Sequence, residues 1–190
     1  NQYIEYFLPE LQKYVSAEMI RNLPTNFYEF DQKRKIGEND FYISKLIQAD
    51  DIDQFIKFVQ ENDYSLDSTI HKSIFETNDY LIARKPSLVE YAAFYGSFRI
   101  FQFLCSHFAE VNPHIWNYAV HGRNMDIIHI LEKCNVAPKD SSLIIEAIRA
   151  FHNEIALYLN HSFSSTENEN GHAFCFNGLR CYNFIFTRSR

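Results

Sequence analysis

The stretch Ser87-Leu88-Val89-Glu90-Tyr91-Ala92-Ala93 recurs twice further along the chain, at 114–120 and again at 142–148. The three openings are spaced at steps of 27 and then 28 residues. Each opening is followed by a second apolar segment, and these segments contain Leu104, Leu131 and Leu159. Repetition at such a period indicates stacked units of two helices, none of which can bury its apolar face alone. The sequence therefore predicts an all-α fold, a helical repeat solenoid.

Each unit divides into an inner helix, a short turn and an outer helix. The turns fall at 95–97, 122–124 and 151–153, where polar residues or glycine interrupt the apolar pattern. One register position of the inner helix always carries a small residue, namely Ala92, Ala119 and Ala147. A small side chain there lets neighbouring helices approach closely. We expect these three alanines to lie buried in one column.

A less regular unit precedes the clear ones. Ile43 and Ile47 have helical spacing, and a second apolar segment starts at Ile52. Between the two segments, Asp50 or Asp51 is placed to cap the second helix, which explains the acidic group with Asp53 better than a cation site does.

The next segment, 61–85, is the longest insertion in the array. Insertions in repeat proteins project from one face, often the binding face. The alternative is an extended arm that covers the helix ends.

The two ends of the chain fall outside the clear repeats. We divide the chain into an N-terminal helical cap and linker at 1–40 and a repeat array at 41–190, whose last unit is incomplete or degenerate. Pro9 suits the first turn of one helix, and Ser16 is placed to cap a second that stops at Pro24. The polar segment 31–40, with its basic run Lys33-Arg34-Lys35, is predicted to be a solvated linker. After Phe163 a polar loop is expected, followed at 177–184 by the start of another inner helix.

Composition excludes several classes of partner. The 190 residues carry a net charge of −6, so no basic field would attract nucleic acid. No apolar stretch approaches the roughly 20 residues that span a bilayer, so no membrane partner is expected. Cys105 and Cys134, two of four cysteines, fall in apolar repeat segments and are predicted to be reduced and packed as small hydrophobes. This use of cysteine favours an intracellular, cytoplasmic location.

Residue patterns for catalysis and metal binding are weak. No nucleotide-binding loop, nucleophile elbow or Ser/His/Asp set is recognisable, so we expect no catalytic residue and no enzymatic activity in these residues. His161, His172, Cys175 and Cys181 are zinc-ligand types, but their spacing departs from common finger patterns. We therefore predict no metal site and no cofactor.

Particular phrases carry a family resemblance. The unit at 87–112 resembles an ankyrin repeat, and the phrases at 73–78, 90–94 and 118–122 resemble a large, divergent ankyrin family, a domain of unknown function expanded in parasitic protists. The likeness covers about residues 3–160. It implies an ankyrin-type solenoid of about four units with an N-terminal helical cap, and a role in protein–protein recognition. The step of 27 or 28 residues is shorter than the ankyrin period of about 33, and the missing residues correspond to the projecting finger. Proline is also absent from the second position of each opening (Leu88, Ile115, Leu143).

Short fingers would shift recognition to the exposed ends of the inner helices and to the turns after them. The predicted partner-binding residues are Phe94, Tyr95, His121, Arg123, Arg149 and His152, a mixture of aromatic, cationic and imidazole groups typical of interface hot spots. The alternative is that Phe94 and Tyr95 pack against the insertion at 70–81. The function expected is binding of a protein partner, with the oligomeric state left open. The competing interpretations are a structural or assembly subunit and a regulatory fragment of a larger enzyme.

Overall fold

The computed structural model describes residues 5–11, 13–14, 26–107, 111–136, 138 and 142–163. Every helix or strand assigned within these ranges is an α-helix, apart from one isolated bridge between Thr69 and Ser87, so the all-α class is confirmed. The helices are α1 (Leu8–Leu11), α2 (Phe27–Ile36), α3 (Tyr42–Gln48), α4 (Ile52–Glu61), α5 (Asp79–Arg84), α6 (Leu88–Tyr95), α7 (Phe98–Ser106), α8 (Ile115–Gly122), α9 (Met125–Lys133), α10 (Ser142–Arg149) and α11 (Asn153–Phe163).

Eight of these helices pair into four consecutive helical hairpins. Hairpin 1 is α3–α4, hairpin 2 is α6–α7, hairpin 3 is α8–α9 and hairpin 4 is α10–α11. The inner helices α3, α6, α8 and α10 contact one another in chain order, and the outer helices α4, α7 and α9 do the same. The contact between α6 and α8 is the most extensive. Each hairpin thus buries its apolar faces against the hairpins beside it.

The core confirms the register predicted from the repeats. Ala92, Ala119 and Ala147 are at most 1% exposed, as expected for a column of small residues between inner helices. The outer-helix leucines at the equivalent register positions are equally buried: Leu104, Leu131 and Leu159. They belong to one continuous hydrophobic core that runs through all four hairpins.

The turn inside each hairpin contains one residue with left-handed backbone. These residues are Asp50, Gly96, Arg123 and Phe151, with φ values of 50°, 69°, 52° and 62°. Only one is glycine, although this conformation is unfavourable for residues with a side chain. The last three are 27 and 28 residues apart, so the repeat extends to the backbone conformation of the turn.

Two glycines mark the closest approach between hairpins 2 and 3. A Cβ atom built on Gly122 would lie 2.0 Å from the carbonyl oxygen of Ala93, and one built on Gly96 would lie 2.5 Å from the carbonyl oxygen of Gly122. Because these neighbours are backbone atoms, they cannot move aside as a flexible side chain would. The interface between α6 and α8 therefore requires glycine at both positions.

Asp50 and Asp51 cap two different helices. The Asp51 carboxylate accepts a hydrogen bond from the backbone amide of Gln54 at 3.2 Å and caps its own helix α4, as predicted. The Asp50 carboxylate instead accepts hydrogen bonds from the backbone amides of Arg99 and Ile100, at 3.1 and 3.0 Å. These two residues lie at the start of α7. A residue of hairpin 1 thus satisfies the first turn of the outer helix of hairpin 2.

We expect Asp50→Ala to lower the free energy of unfolding by about 1–2 kcal/mol, because two backbone amides lose their acceptor and because alanine tolerates the left-handed backbone at this position less well than aspartate does. Chemical denaturation followed by circular dichroism measures this. The matched control is Asp53→Ala, whose carboxylate is 89% exposed and should change stability by less than about 0.5 kcal/mol. Equal effects of the two substitutions would contradict a capping role for Asp50.

The segment predicted as a linker at 31–40 is mostly helical, so that prediction is wrong. Helix α2 extends to Ile36 and ends at Gly37, whose φ of 71° closes the helix. Two of its three basic residues are neutralised: the Lys33 ammonium lies 3.0 Å from Glu29, and the Arg34 guanidinium lies 2.7 Å from Glu10. Ion pairs and one buried residue, Phe30, hold this helix in place.

Other predictions at the ends of the chain are tested only in part. Pro9 lies within α1, as predicted. The helix expected after Ser16, the loop after Phe163 and the segment 177–184 lie outside the described residues. Cys105 is half-buried as a free thiol, whereas Cys134 is exposed at the end of α9 and is not packed as a small hydrophobe.

Residues 62–86, called the arm below, connect hairpins 1 and 2 and lie against both the repeats and α2. Ile70, Phe75 and Leu81 are buried. The Asn39 amide donates to the carbonyl oxygen of His71 at 2.7 Å, and the Ser73 hydroxyl donates to Asp40 at 2.6 Å. The arm therefore packs against the rest of the protein instead of projecting from it, and part of it is the helix α5 rather than an extended segment.

Candidate partner-binding surface

The six residues predicted to bind a partner divide into two groups by exposure. Arg123 and Arg149 are exposed, on the turn of hairpin 3 and at the end of the inner helix of hairpin 4. The other four are partly buried: Phe94, Tyr95, His121 and His152. The predicted stripe is therefore open to a partner at its two arginines and partly covered at its other four residues.

The cover over Phe94 and His121 is Tyr80, from helix α5 of the arm. The Tyr80 ring stacks on Phe94 with centroids 5.9 Å apart and an interplanar angle of 18°. It also lies 4.5 Å from the His121 ring, and Phe94 and His121 stack on each other at 5.2 Å. Packing of Phe94 against the insertion, the alternative raised from the sequence, is thus confirmed for this residue.

Tyr80 is held from several sides. Its ring meets Tyr118 edge-on at 5.2 Å, and the Arg84 guanidinium lies 3.9 Å from its centroid in a cation–π contact. Burial raises the pKa of Tyr80 to about 12, so its hydroxyl stays protonated at neutral pH. Sequence reasoning did not select Tyr80, because the arm lacks the repeat period. Asn78 before it, which caps α5 through the amides of Tyr80 and Leu81, was the available signal for a helix start.

Tyr95 faces a different group of residues. Its ring lies 4.8 Å from Tyr91, whose hydroxyl accepts a hydrogen bond from the Gln48 side-chain amide at 2.9 Å. Burial raises the pKa of Tyr95 to about 12. Tyr95 therefore belongs to the contact between hairpins 1 and 2, and it is less available to a partner than the sequence suggested.

His121 connects hairpin 3 to hairpin 4. Its Nε2 lies 3.0 Å from Oε1 of Glu146, and the other oxygen of that carboxylate lies 3.8 Å from the Arg149 guanidinium. The chain of contacts from Tyr80 through His121 to Glu146 and Arg149 joins three helices, α5, α8 and α10. It joins an aromatic cluster to an exposed cation on one surface.

Arg123 and His152 occupy the turns of hairpins 3 and 4. Burial lowers the pKa of the His152 imidazole, and the positive charge of Arg123 nearby acts in the same direction. The His152 ring is therefore largely neutral at pH 7. Its Nδ1 is buried and has no hydrogen-bond partner among the described residues. A cavity of about 260 Å³ lies beside both residues and is also lined by Phe151, which is 66% exposed.

The described ranges contain no group of three or more His, Cys, Asp or Glu side chains arranged to hold a metal ion. His161 lies in α11, whereas the other members of the set considered from the sequence, His172, Cys175 and Cys181, lie outside the described residues. No helix within these ranges is both long and apolar enough to cross a membrane.

Comparison with protein-family models, with curated proteins and with solved structures found no match to this chain. Family membership therefore gives no guide to the role of this surface. The features of this surface that bear on its function are its exposed cations, its half-buried aromatic rings and its cross-hairpin hydrogen bonds.

Proposed function

We propose that the chain is an ankyrin-type helical repeat module that binds a protein partner on its inner-helix face and carries out no catalysis of its own. The observation that carries the proposal is the pair of exposed guanidinium groups, Arg123 and Arg149, on consecutive hairpins beside the Tyr80–Phe94–His121 cluster. Arginine and aromatic side chains dominate the energetics of protein interfaces. Hairpins that repeat at nearly constant spacing also offer successive side chains along one extended surface.

The position of Tyr80 refines where a partner would bind. Because the arm already covers Phe94 and part of His121, the open part of the inner-helix face begins at hairpin 3 and continues onto hairpin 4. Arg123, Arg149 and the exposed Phe151 ring lie in this part. A partner with acidic residues would complement the two guanidinium groups.

We expect the double substitution of Arg123 and Arg149 by Ala to weaken capture of the native partner at least about tenfold. Both guanidinium groups are exposed, and Arg149 has donors beyond the one that faces Glu146 at 3.8 Å. Affinity capture from a native lysate, with quantitative mass spectrometry across a bait titration, measures the effect. The matched control substitutes Lys57 and Lys133 by Ala. This control removes the same charge from exposed positions on outer helices. If both double variants capture the partner equally well, the inner-helix assignment is wrong.

An assembly role is the second candidate, favoured by apolar side chains at the start of the array. Phe41 and Tyr42, at the start of α3, are 44% and 54% exposed. Exposed apolar groups that cluster on a surface mark contacts with other chains. The same capture experiment separates the two roles, because assembly through this end would be lost on Phe41→Ser and retained by the double arginine variant.

A further inference from the structure

Residues 79–85, called the flap below, consist of helix α5 and the residue after it, and they lie between two fixed points of the arm. Before the flap, the amide and the hydroxyl of Thr77 both donate to the carbonyl oxygen of Gly37, at 3.0 and 2.8 Å. After it, the carbonyl oxygen of Pro86 accepts a hydrogen bond from the Ile70 amide at 2.8 Å. Both attachments lie outside the flap, so it can swing away while the rest of the arm stays bound.

Side-chain packing alone holds the flap on the repeats. Its amides at Leu81 and Ile82 donate to the backbone carbonyl oxygen of Asn78, whose side chain accepts from the amides of Tyr80 and Leu81. The Arg84 guanidinium lies over the Tyr80 ring of the same helix. Within the described part of the chain, no hydrogen bond or ion pair joins the flap to a repeat helix. The cost of opening is therefore set by the ring contacts of Tyr80 and by the burial of Leu81, which is 4% exposed.

The packing around the flap is incomplete. A cavity of about 210 Å³ borders it at Asp79 and Ile82, and a smaller one of about 20 Å³ borders it at Leu81 and Lys85. Lys85 has left-handed backbone, with a φ of 43°, a conformation unfavourable for a residue with a side chain. A helix of six residues also has little stability of its own in water. Short, loosely packed segments of this kind open locally at a free energy well below that of global unfolding.

Beneath the flap lies an aromatic socket on the inner helices α6 and α8, formed by Phe94, Tyr118 and His121. Its occupant is the Tyr80 ring, whose centroid lies 5.9, 5.2 and 4.5 Å from those three rings in that order. Stacked and edge-on contacts of this kind suit an aromatic ring. His121 also contacts Glu146 at 3.0 Å, so the socket continues into the open surface of hairpin 4. The chain's own tyrosine thus fills an aromatic site at the edge of the partner-binding surface.

We propose that the flap is an autoinhibitory cover, and that a protein partner opens it by placing an aromatic side chain of its own in the socket. The inference rests on the proposed function, because it assigns the partner to the inner-helix face. Displacement of Tyr80 extends the open surface from hairpins 3 and 4 onto hairpin 2. The affinity measured for the partner is then its affinity for the open form, reduced by the fraction of chains that are open.

Hydrogen exchange of the full chain tests the flap without any partner. The amides of Leu81 and Ile82 should exchange at least about a hundredfold faster than those of Ala92 and Ala93 in α6, since local opening exposes the flap alone. Low concentrations of denaturant should accelerate exchange in the flap little, because little surface is exposed by a local opening. Equal protection of α5 and α6 would overturn the proposal, because α5 would then open only with the whole protein.

Two tyrosine substitutions in the arm identify what keeps the flap closed. Tyr80→Ala should speed exchange of the flap amides at least about fivefold, through loss of its ring contacts. Tyr64→Ala is the matched control, because Tyr64 is half-buried in the same arm but its ring faces Phe58 of the outer helix α4. The control should leave flap exchange unchanged. Equal effects of the two substitutions count against closure by Tyr80 and sink the proposal.

The tyrosine side chain as a free molecule, p-cresol, tests whether the socket accepts an aromatic ring from outside. In Tyr80→Ala carrying 13Cε1-labelled histidine, p-cresol should shift the His121 signal saturably and leave that of His129, on the outer helix α9, in place. The unsubstituted chain should bind p-cresol at least about tenfold more weakly, because Tyr80 competes for the socket. 4-Methylcyclohexanol is the saturated control of similar size. Equal binding of the two compounds, or equal binding by the two chains, would overturn the proposal.

Partner capture distinguishes failure of this inference from failure of the proposed function. In the capture assay described above, Tyr80→Ala should bind the partner at least about fivefold more tightly than the unsubstituted chain. If the double substitution of Arg123 and Arg149 weakens capture but Tyr80→Ala does not strengthen it, the proposed function stands and the flap is no cover. If the double arginine variant captures the partner normally, the inner-helix assignment fails and the autoinhibitory role fails with it.

Discussion

Gly122→Ala is expected to destabilise the protein by about 3 kcal/mol or more, at the upper end of the range for overpacking. The added methyl group would lie 2.0 Å from the carbonyl oxygen of Ala93 and 2.8 Å from the amide nitrogen of Gly96. Relief of this clash requires α6 and α8 to separate, and these two helices form the most extensive contact between hairpins. Chemical denaturation should show a large fall in the midpoint.

The repeat supplies a matched control for this substitution. Gly122 of hairpin 3 is equivalent to Ala150 of hairpin 4, 28 residues further along the chain. Ala150 directly follows the last residue of α10, and Ala150→Gly adds no atoms there, so it should cost about 1 kcal/mol or less through the greater backbone freedom of glycine in the unfolded chain. If Gly122→Ala left the midpoint unchanged, hairpins 2 and 3 would not approach each other as closely as described here.

Trp116→Ala should lower the free energy of unfolding by about 3–5 kcal/mol, the range for removal of a large core aromatic. The side chain is only 1% exposed, and its indole nitrogen donates to the carbonyl oxygen of Val136 at 2.6 Å. This contact joins the start of the inner helix of hairpin 3 to the residues that follow its outer helix. Thermal and chemical unfolding should both register the loss.

Trp116→Phe separates the two contributions of this side chain. It keeps most of the buried ring but leaves the Val136 carbonyl oxygen without its donor. We expect a cost of about 1–2 kcal/mol, close to that of one unmade buried hydrogen bond. If Trp116→Ala and Trp116→Phe were equally destabilising, the hydrogen bond rather than the packed ring would hold this end of the hairpin.

Sequence periodicity was sufficient to predict the parts of the fold that repeat. The buried column of Ala92, Ala119 and Ala147 and the three hairpin turns follow from a pattern in which one position has one role in every unit. Such a pattern is readable because each unit meets the same steric demand from its neighbours. Of the predicted site residues, Arg123 and Arg149 are exposed as expected, since each comes after the last buried residue of its inner helix.

Features that depend on contacts between distant residues were not predicted. Tyr80 covers Phe94 and His121 from a segment with no repeat period, so no register assigned it a position. Asp50 caps a helix that begins 48 residues further along the chain, which is visible only once hairpins 1 and 2 are packed together. The part of α2 beyond Phe30 was not predicted, because ion pairs stabilise it and the charged residues of 31–40 on their own indicate a solvated segment.

The order in which the helices contact one another has a consequence for how the chain folds. Each inner helix contacts the inner helices of the hairpins next to it, so the contacts between hairpins join residues about one repeat apart in sequence. Chains with such low contact order cross the folding barrier quickly, because little loop-closure entropy is lost before contacts form. Folding would start where α6 meets α8 and spread outward one hairpin at a time. The arm differs, since Tyr80 needs α6 and α8 to be in place, so its closure is a late step.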